Sequence, residues 1–575
     1  MPGSIIFAGC ARDCAAHLPQ VLANFERLAS TVESACFILA EDGSSDSTRD
    51  ALSQWCGERG NAHILNFDDL DAMPKRPSER QAVLRNRILA FIKDRGLTDY
   101  DGFCIMDFGA ANAPEIATDG FAAATEFLFS HRANAGVFAV SDPVYYDIDA
   151  LRCEGWCAAD WRAAFRATPV SGKSDAFQAL VCDRQVPVDR AHPPIYVSSA
   201  FGGLAVYRLS YALQAAYAGL DQDGEETCEH VSFNADIKRL GGDLYIFPAL
   251  RNSTPWQACF EGQQQKTMRL SNNGVEIELL APQSHQLDHY MNAYPLYDRR
   301  LSLLLAVFNR LAGPASLLDI GANILDTVAL IRLNGVQLSR SVSVDASLEF
   351  YKYARFNAAR NAAQFGKSEI IWGFVGAEED WGNIAAGNGT GNVRNLRSSG
   401  EGEPLLNPRH VTFADLARTG ADLVKIDLDG YDHVVIRKNM AWLKRWKPML
   451  WVEAQIEAAA DLSAWSNILL ALADDFPYVA AFDNFGFCLC AGTMIEKWSV
   501  VLELIGIGAR YRMNEATLGK PGFYYLDLLF VPRHRAPVFQ AFVAQLPEMQ
   551  LAGGNAAPEA TPESAEAREY HAHIG

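Results

Sequence analysis

Two series of apolar strands, each interleaved with helical patterns, limit what this chain can fold into more than any other feature. The first runs SIIFAGC, ACFILAEDG, HILNF, DGFCIMDFG and AGVFAVSD, followed by IYVSSAFGGLAVYR and DLYIFPAL. The second runs SLLDIGAN, SVSVDAS, EIIWGFVGA, DLVKIDLDG, PMLWVEAQ and YVAAFDN, then GFCLCAG and FYYLDLLFVP. Strands that alternate with helix-length patterns specify α/β architecture. No internal repeat relates the two series, so each is a fold of its own. Between Trp256 and Met268 the chain turns polar and glutamine-rich (EGQQQK), which reads as a linker. A chain of 575 residues also exceeds a single core, since domains hold about 100–200 residues. The pattern predicts domains over 1–260 and 261–545 and a disordered tail over 546–575. In that tail alanine, proline and glutamate leave too little apolar surface to offset ordering entropy.

The formal charge of −19 argues against non-specific nucleic-acid binding, which needs a basic face for phosphate. No stretch reaches the ~18 uninterrupted apolar residues of a membrane span. MPGSIIFAGC lacks a basic leader and reads as a first core strand. The twelve cysteines are scattered without a zinc or disulfide framework. Reduced thiols and a cytoplasmic location are the expectation.

In the first half, FILAEDGSSDSTRDAL is a buried strand running into acids, small hydroxyl residues and a helix, with Asp46 or Ser47 as a natural N-cap. Acids at a strand's carboxyl end hydrogen-bond a base or ribose, and loop amides accept phosphate. An Asx-rich turn explains the same residues equally well. The segments CARDCAAHLPQVLANFERL, AEDGSSDST, PSERQAVLRNRIL, FCIMDFGAAN, VYYDIDALR and CEHVSFN, taken in order, resemble a GT-A-type glycosyltransferase related to fungal capsule mannosyltransferases. The resemblance covers roughly residues 4–255. It implies sugar transfer from a nucleotide-sugar donor, with Arg12 and Asp13 beside the nucleotide and Glu41, Asp42 and Asp46 around base and ribose. Arg80 and Arg85 would pair with the diphosphate, which a bidentate guanidinium suits. Asp107 falls where such enzymes carry an acid-x-acid motif for Mg2+ or Mn2+, a hard cation that takes oxygen ligands. His230 matches a late metal-ligating histidine, and Glu229 beside it (or Glu225 or Glu226) would be the general base. The chain departs from the family at Asp107-Phe108-Gly109, where the second acid is missing.

In the second half, SLLDIGANILDTVALI is a strand, a turn on Gly321 and an apolar helix, followed one helix later by Asp345 at the end of SVSVD. An acid at the second strand's end accepts the ribose hydroxyls of an adenosine cofactor. VKIDLDGYDHVVI puts Asp427 and Asp429 at a later strand's carboxyl edge, and PMLWVEA ends on Glu453. DIGANILDT, YARFNAARNAA, VTFADL, KIDLDGYDHVVI and PMLWVEAQ resemble the FkbM-type SAM-dependent methyltransferases, over roughly 268–535. The resemblance implies a class I Rossmann-like fold, S-adenosyl-L-methionine as methyl donor and a sugar hydroxyl as acceptor. Asp319, Gly321, Asn323, Asp345 and Asp429 would hold SAM. Asp427, or His433 if it turned inward, would take the acceptor proton; Asp427 is equally suited to orient SAM's amino group. The family pattern has glycine at Leu325 and Glu-Pro at Asp345-Ala346. An overpacked leucine costs about 1–3 kcal/mol, which weakens a cofactor ~10–100-fold.

Together these readings describe a fusion of two enzymes on one glycan. A nucleotide-sugar donor, a glycan or lipid-linked glycan acceptor and SAM are its expected ligands, and peripheral membrane association is compatible with it. Tethering raises the effective concentration of one site for the other's product. The alternative is that one domain alone is catalytic and the other is a glycan-binding or oligomerisation scaffold.

Overall fold

The computed structural model describes residues 3–68, 73–260, 263–272, 274–294, 296–377, 380, 384–387, 390–393, 408–456, 458–514 and 525–546. Among these the chain divides into two compact units, one ending at Gln263 and the other beginning at Gln264. Beyond Leu546, the expected tail lies outside the described residues. Among the described residues no helix is long and apolar enough to cross a membrane.

The strands of the first unit are β1 (Ser4–Ala11), β2 (Ser34–Glu41), β3 (Ala62–Asn66), β4 (Gly102–Met106), β5 (Asn134–Asp142), β6 (Ile195–Val197), β7 (Leu204–Arg208) and β8 (Asp243–Ser253). They form one sheet in the order β3-β2-β1-β4-β7-β5-β8-β6. β3, β2, β1 and β4 are parallel, and β7 runs against both β4 and β5. Alternate side chains of β1 feed two cores. Ile6 and Ala8 pack with Ile88 and Ile92 of the Pro77–Asp94 helix, while Ile5 and Phe7 pack with Val21 and Phe25 of the Leu18–Ala29 helix. A strand buried on both faces needs an unbroken apolar run, which is why this series reads as it does. IYVSSAFGGLAVYR divides into β6 and β7, parted by Gly202 and Gly203 at φ 67° and 80°. A Cβ on Gly202 would stand 2.4 Å from the Ala139 carbonyl oxygen, so glycine is required there.

The second unit opens with a hairpin, β9 (Gln265–Asn272) and β10 (Val275–Pro282). This corrects the linker reading of the glutamine-rich stretch, whose last residues are strand. β9 has most of its side chains exposed or half-buried, so it carries no apolar period to read. The remaining strands are β11 (Ala315–Ile320), β12 (Leu338–Asp345), β13 (Ser368–Phe374), β14 (Ile384–Gly387), β15 (Thr390–Val393), β16 (Arg409–His410), β17 (Leu423–Ile426), β18 (Met449–Ala454), β19 (Tyr478–Asp483), β20 (Cys488–Thr493) and β21 (Leu526–Val531). β14 and β15 pair with each other; the rest form a sheet in the order β16-β13-β12-β11-β17-β18-β21-β19-β20. From β13 to β18 the strands are parallel, and β21 runs antiparallel to both β18 and β19. Leu318, Ile320, Val424, Ile426 and Val452 pack on one face with Trp465 and Leu469 of the Ala459–Leu472 helix.

Candidate functional site

In the first unit the parallel strands β2, β1 and β4 end side by side, and the residues just past their ends face one another. Asp42 follows β2, Arg12 follows β1 and Asp107 follows β4. Arg80 donates through Nε and Nη2 to the two oxygens of Asp42 at 2.6 and 2.7 Å, a bidentate fork. Arg12 stands 3.7 Å from the same carboxylate. Glu41, wholly buried, accepts from Ser44 N at 2.6 Å and from Arg49 Nε at 2.6 Å. Arg85 is 3% exposed; its Nη2 donates to Asp107 Oδ1 at 2.9 Å and its Nη1 to Glu229. Arginines and acids thus interlock at the edge where ligands of open α/β sheets bind.

Several expected ligands do other work here. Asp13 takes Ser45 N at 2.7 Å and Asp46 takes Ala15 N at 3.1 Å and Thr48 N at 2.9 Å. These carboxylates lace the loop after β1 to the loop after β2; hydrogen bonds from the Ser45 backbone and side chain hold Asp13, and from the Thr48 side chain and then its backbone hold Asp46, below the usual carboxylate range. Asp46 also caps the Thr48–Gly57 helix from two residues before it, while Ser47 makes no side-chain cap. Glu229, expected as the general base, is buried and holds the Arg85 guanidinium.

His230 is 1% exposed, stacked on Phe201 at 3.7 Å with Tyr217 edge-on at 5.4 Å. Burial, and next the charge of Arg85, push its imidazole well below the ordinary value. Among the described residues no group of three or more His, Cys, Asp or Glu is arranged to hold a metal ion. Asp107 with its carboxylate half-exposed, an enclosed His230 and a missing second acid do not fit a protein-built Mn2+ or Mg2+ centre.

Asp147, in the quoted segment VYYDIDALR, was given no role by the sequence. It accepts from Gly202 N at 2.9 Å and Ala150 N at 3.2 Å. Burial, then the neighbouring Asp149, push its carboxyl up to about 6.

In the second unit the loop after β11 folds against β12. Gly321, at φ 85°, would bring a Cβ within 1.9 Å of the Asp427 carbonyl oxygen, which explains the glycine. Asn323 N donates to Asp345 Oδ2 and Ser347 N to Asp345 Oδ1, each at 2.8 Å. Asp345 therefore clamps the loop before it meets any ribose. Leu325 is fully buried with φ 74°. The left-handed backbone is one that glycine adopts without strain, a reason for the glycine expected here different from the close packing anticipated, and the leucine side chain is enclosed.

Lys425 is the residue sequence reading passed over. It is 5% exposed, lies beside Asp319 in the β11–β17 register, and donates to Asp427 Oδ2 at 2.8 Å. Asp319 is wholly buried with both oxygens lacking hydrogen-bond partners. Burial, opposed by Lys425, pushes its carboxyl up to about 7. Lys425 itself is held well above its usual value by Asp427 and Asp319 against the cost of burial. Asp429 takes a left-handed turn at φ 48° after β17. His433 hydrogen-bonds the Gly430 carbonyl at 3.0 Å and lies 3.7 Å from Asp461, pointing to a structural role. A cavity of about 1010 Å3 opens beside Lys266, Glu278 and Arg360 at the hairpin, and Asp319, Asp345, Asp427 and Asp429 are not among its lining residues.

No protein family and no curated protein matches the chain. Among solved structures, the mannosyltransferase PcManGT from Pyrobaculum calidifontis, in complex with GDP-Man and Mn2+, is 12% identical over 44% of this chain and 56% of its own, with a TM-score of 0.27. TarS 1-349 from S. aureus is 9% identical over 46% of this chain and 63% of its own, with a TM-score of 0.25. GalNAc-T7 with UDP, GalNAc and Mn2+ is 11% identical over 44% of this chain and 43% of its own, with a TM-score of 0.26. The chain thus spans under two thirds of each of these structures.

Proposed function

We propose that the chain carries two transferase sites: a nucleotide-sugar site in the first unit and a SAM-dependent methyl-transfer site in the second. The observation carrying the proposal is shared by both units. In each, charged residues, several of them buried, converge at or just past the carboxyl ends of adjacent parallel strands, the edge at which open α/β sheets take ligands. For the second unit, the antiparallel β19–β20 hairpin that follows the parallel strands in the chain also supports the FkbM-type reading.

In the first unit Arg12, 45% exposed at its side chain, meets the donor diphosphate, while Arg80 and Arg85 are held rigid by Asp42, Asp107 and Glu229. Asp147 is the better general base, since burial raises its carboxyl toward neutrality. No step is routed through a metal ion. In the second unit Asp319 and Asp345 face the donor, and SAM supplies an electrophilic methyl group to an acceptor held beside Asp427.

Two titrations on the full chain test this. S-adenosylhomocysteine should bind with micromolar affinity and lose it in Asp319→Asn; no binding to the wild type removes the methyl-transfer reading. A panel of UDP- and GDP-sugars should be turned over with EDTA present, and Asp147→Asn should cut turnover about 100-fold or more. A donor panel left intact removes the first reading and leaves a chain with one catalytic unit.

A further inference from the structure

The cavity of about 1010 Å3 at the β9–β10 hairpin has no part in either transfer site. It lies at the upper end of the roughly 300–1,000 Å3 that small-molecule sites occupy, so it admits a ligand of several rings rather than a bare ion. Six consecutive residues of β9, Lys266 to Ser271, line it. A strand turns alternate side chains to opposite faces, so all six border one space only if the strand's edge does. β9 pairs on one side alone, with β10, and its other edge is open to the cavity.

The hairpin is held rigidly from the opposite side. Asn361, 3% exposed, accepts from Glu278 N at 3.0 Å and donates to Glu278 O at 2.9 Å. Asn357 does the same for Leu280, at 2.7 and 3.0 Å. Both come from the end of the Leu348–Arg360 helix and its cap, so Glu278 is fixed where two arginines meet it. Arg269, its cross-strand partner, donates from Nε to Oε1 at 3.0 Å, and Arg360 Nε stands 2.7 Å from Oε2. Among the described residues the Nη groups of both arginines make no hydrogen bond. Two guanidiniums on one carboxylate leave a positive charge in excess, with two forks of N–H donors of the kind that grips an oxyanion.

The remaining charges of the lining stand apart from this pair. Asp288 takes Lys266 on both oxygens, at 2.9 Å and 2.8 Å, and the exposed Glu276 lies opposite Ser271, nearer the hairpin's turn. Three basic and three acidic residues make the lining neutral in sum. It therefore suits a ligand with one isolated negative charge and not a polyanion. Thr267, Ser271 and Gln364 share the wall with Leu270, Met291 and Leu333. Hydroxyl and amide groups beside apolar ones match a sugar ring, which has hydroxyl edges and C–H faces.

We propose that this cavity binds a mono-acidic saccharide, a chain of a few rings carrying one carboxylate or phosphate, with the oxyanion held by Arg269 and Arg360. The open edge of β9 supplies main-chain donors and acceptors to the hydroxyls. The site goes beyond both transfer readings and stands on the cavity alone, so it survives the failure of either.

The test is a calorimetric titration of the full chain with glucuronosyl-glucose and with trehalose 6-phosphate, each beside its neutral disaccharide. It is repeated in Arg269→Gln, Arg360→Gln and the double variant. At least one acidic sugar should bind the wild type about tenfold or more tightly than its neutral counterpart, and which one does so identifies the oxyanion. Each single variant should lose about tenfold, and the double variant should bring acidic and neutral sugar to parity. The two side chains are 87% and 47% exposed, so melting temperatures should match the wild type and separate lost binding from lost folding. Binding of neither acid, equal affinity for acidic and neutral sugar, or a preference that survives in the double variant would overturn the inference. Inorganic phosphate bound as tightly as the acidic sugars would also overturn it, since the arginines alone would then be the site. Tighter binding of hexaglutamate would do the same and make the open edge a site for a peptide strand.

Discussion

Arg85 reaches Asp107 with Nη2 at 2.9 Å from a position only 3% open to solvent, so the acid at the end of β4 is held by a guanidinium from the Pro77–Asp94 helix. The second arm of the same group holds Glu229. Removing one partner from a buried ion pair strands the others, at a cost of about 3–5 kcal/mol. Arg85→Met should therefore lower the first unit's unfolding midpoint sharply in a denaturant titration followed by calorimetry. Arg85→Lys should recover part of the loss, since one ammonium cannot reproduce the fork. A midpoint unchanged in Arg85→Met would mean the acids are satisfied without it.

Gly109 stands where a second acid would complete an acid-x-acid pair. Its φ of −121° is open to any residue, and a Cβ there meets nothing within 4 Å. Gly109→Asp should fold with an unchanged melting temperature and raise the affinity for Mn2+ about tenfold or more, measured by electron paramagnetic resonance of the free ion. Unchanged affinity would show that Arg85 already occupies the charge position a cation needs.

Leu325 is buried in the left-handed region, where a non-glycine residue is strained by about 1–2 kcal/mol. Leu325→Gly relieves that strain but deletes a buried side chain, and comparable deletions cost about 2–5 kcal/mol. The variant should be net destabilised by about 1–3 kcal/mol in chemical denaturation. Its affinity for S-adenosylhomocysteine should stay within a few-fold of wild type. A large gain in affinity would instead identify the leucine as an obstruction.

Acids of the second unit set a distinctive pH profile. Burial pushes Asp298, Asp319 and Asp345 up to about 7; Lys425 opposes this for the first two, and Asp326 and Asp427 add to it for both. Unfolded aspartate titrates near 4, so between about pH 4 and pH 7 the folded state holds more protons. Stability is then greatest on the acid side of this window and falls as pH rises through it. The second unit should melt at a higher temperature at pH 5 than at pH 8, and Asp319→Asn should flatten the difference. Asp13 and Asp46 in the first unit have the opposite sign, their contribution being lost only on acidification below the ordinary carboxylate range.

How much of this was legible depended on what each residue does locally. The strands of both sheets could be read because burial on two faces leaves unbroken apolar runs, as in SIIFAGCA and MLWVEA. β9 could not, because its exposed side chains remove the signal. The acids at the strand ends were visible as residues but not as partners. Nothing local distinguishes Asp42, forked by Arg80, from Asp46, which binds backbone amides. Lys425 lies inside a quoted motif, yet its value comes from Asp319 on another strand, a pairing that only the register supplies. The opposition of Glu453 and Asp527 is of the same kind: far apart in the chain, adjacent in the sheet.

β21 is drawn from residues 526–531 yet lies between β18 and β19, in the interior of the second sheet. During synthesis β18 and β19 emerge first and cannot join, because the strand that bridges them is still to be made. The nascent second unit therefore exposes two unpaired strand edges until residues 526–531 are made, the state in which edge-to-edge aggregation is most favoured. The first unit is fully emerged long before that, and a ribosome stalled before residue 526 would leave it folded beside a sheet open down its middle.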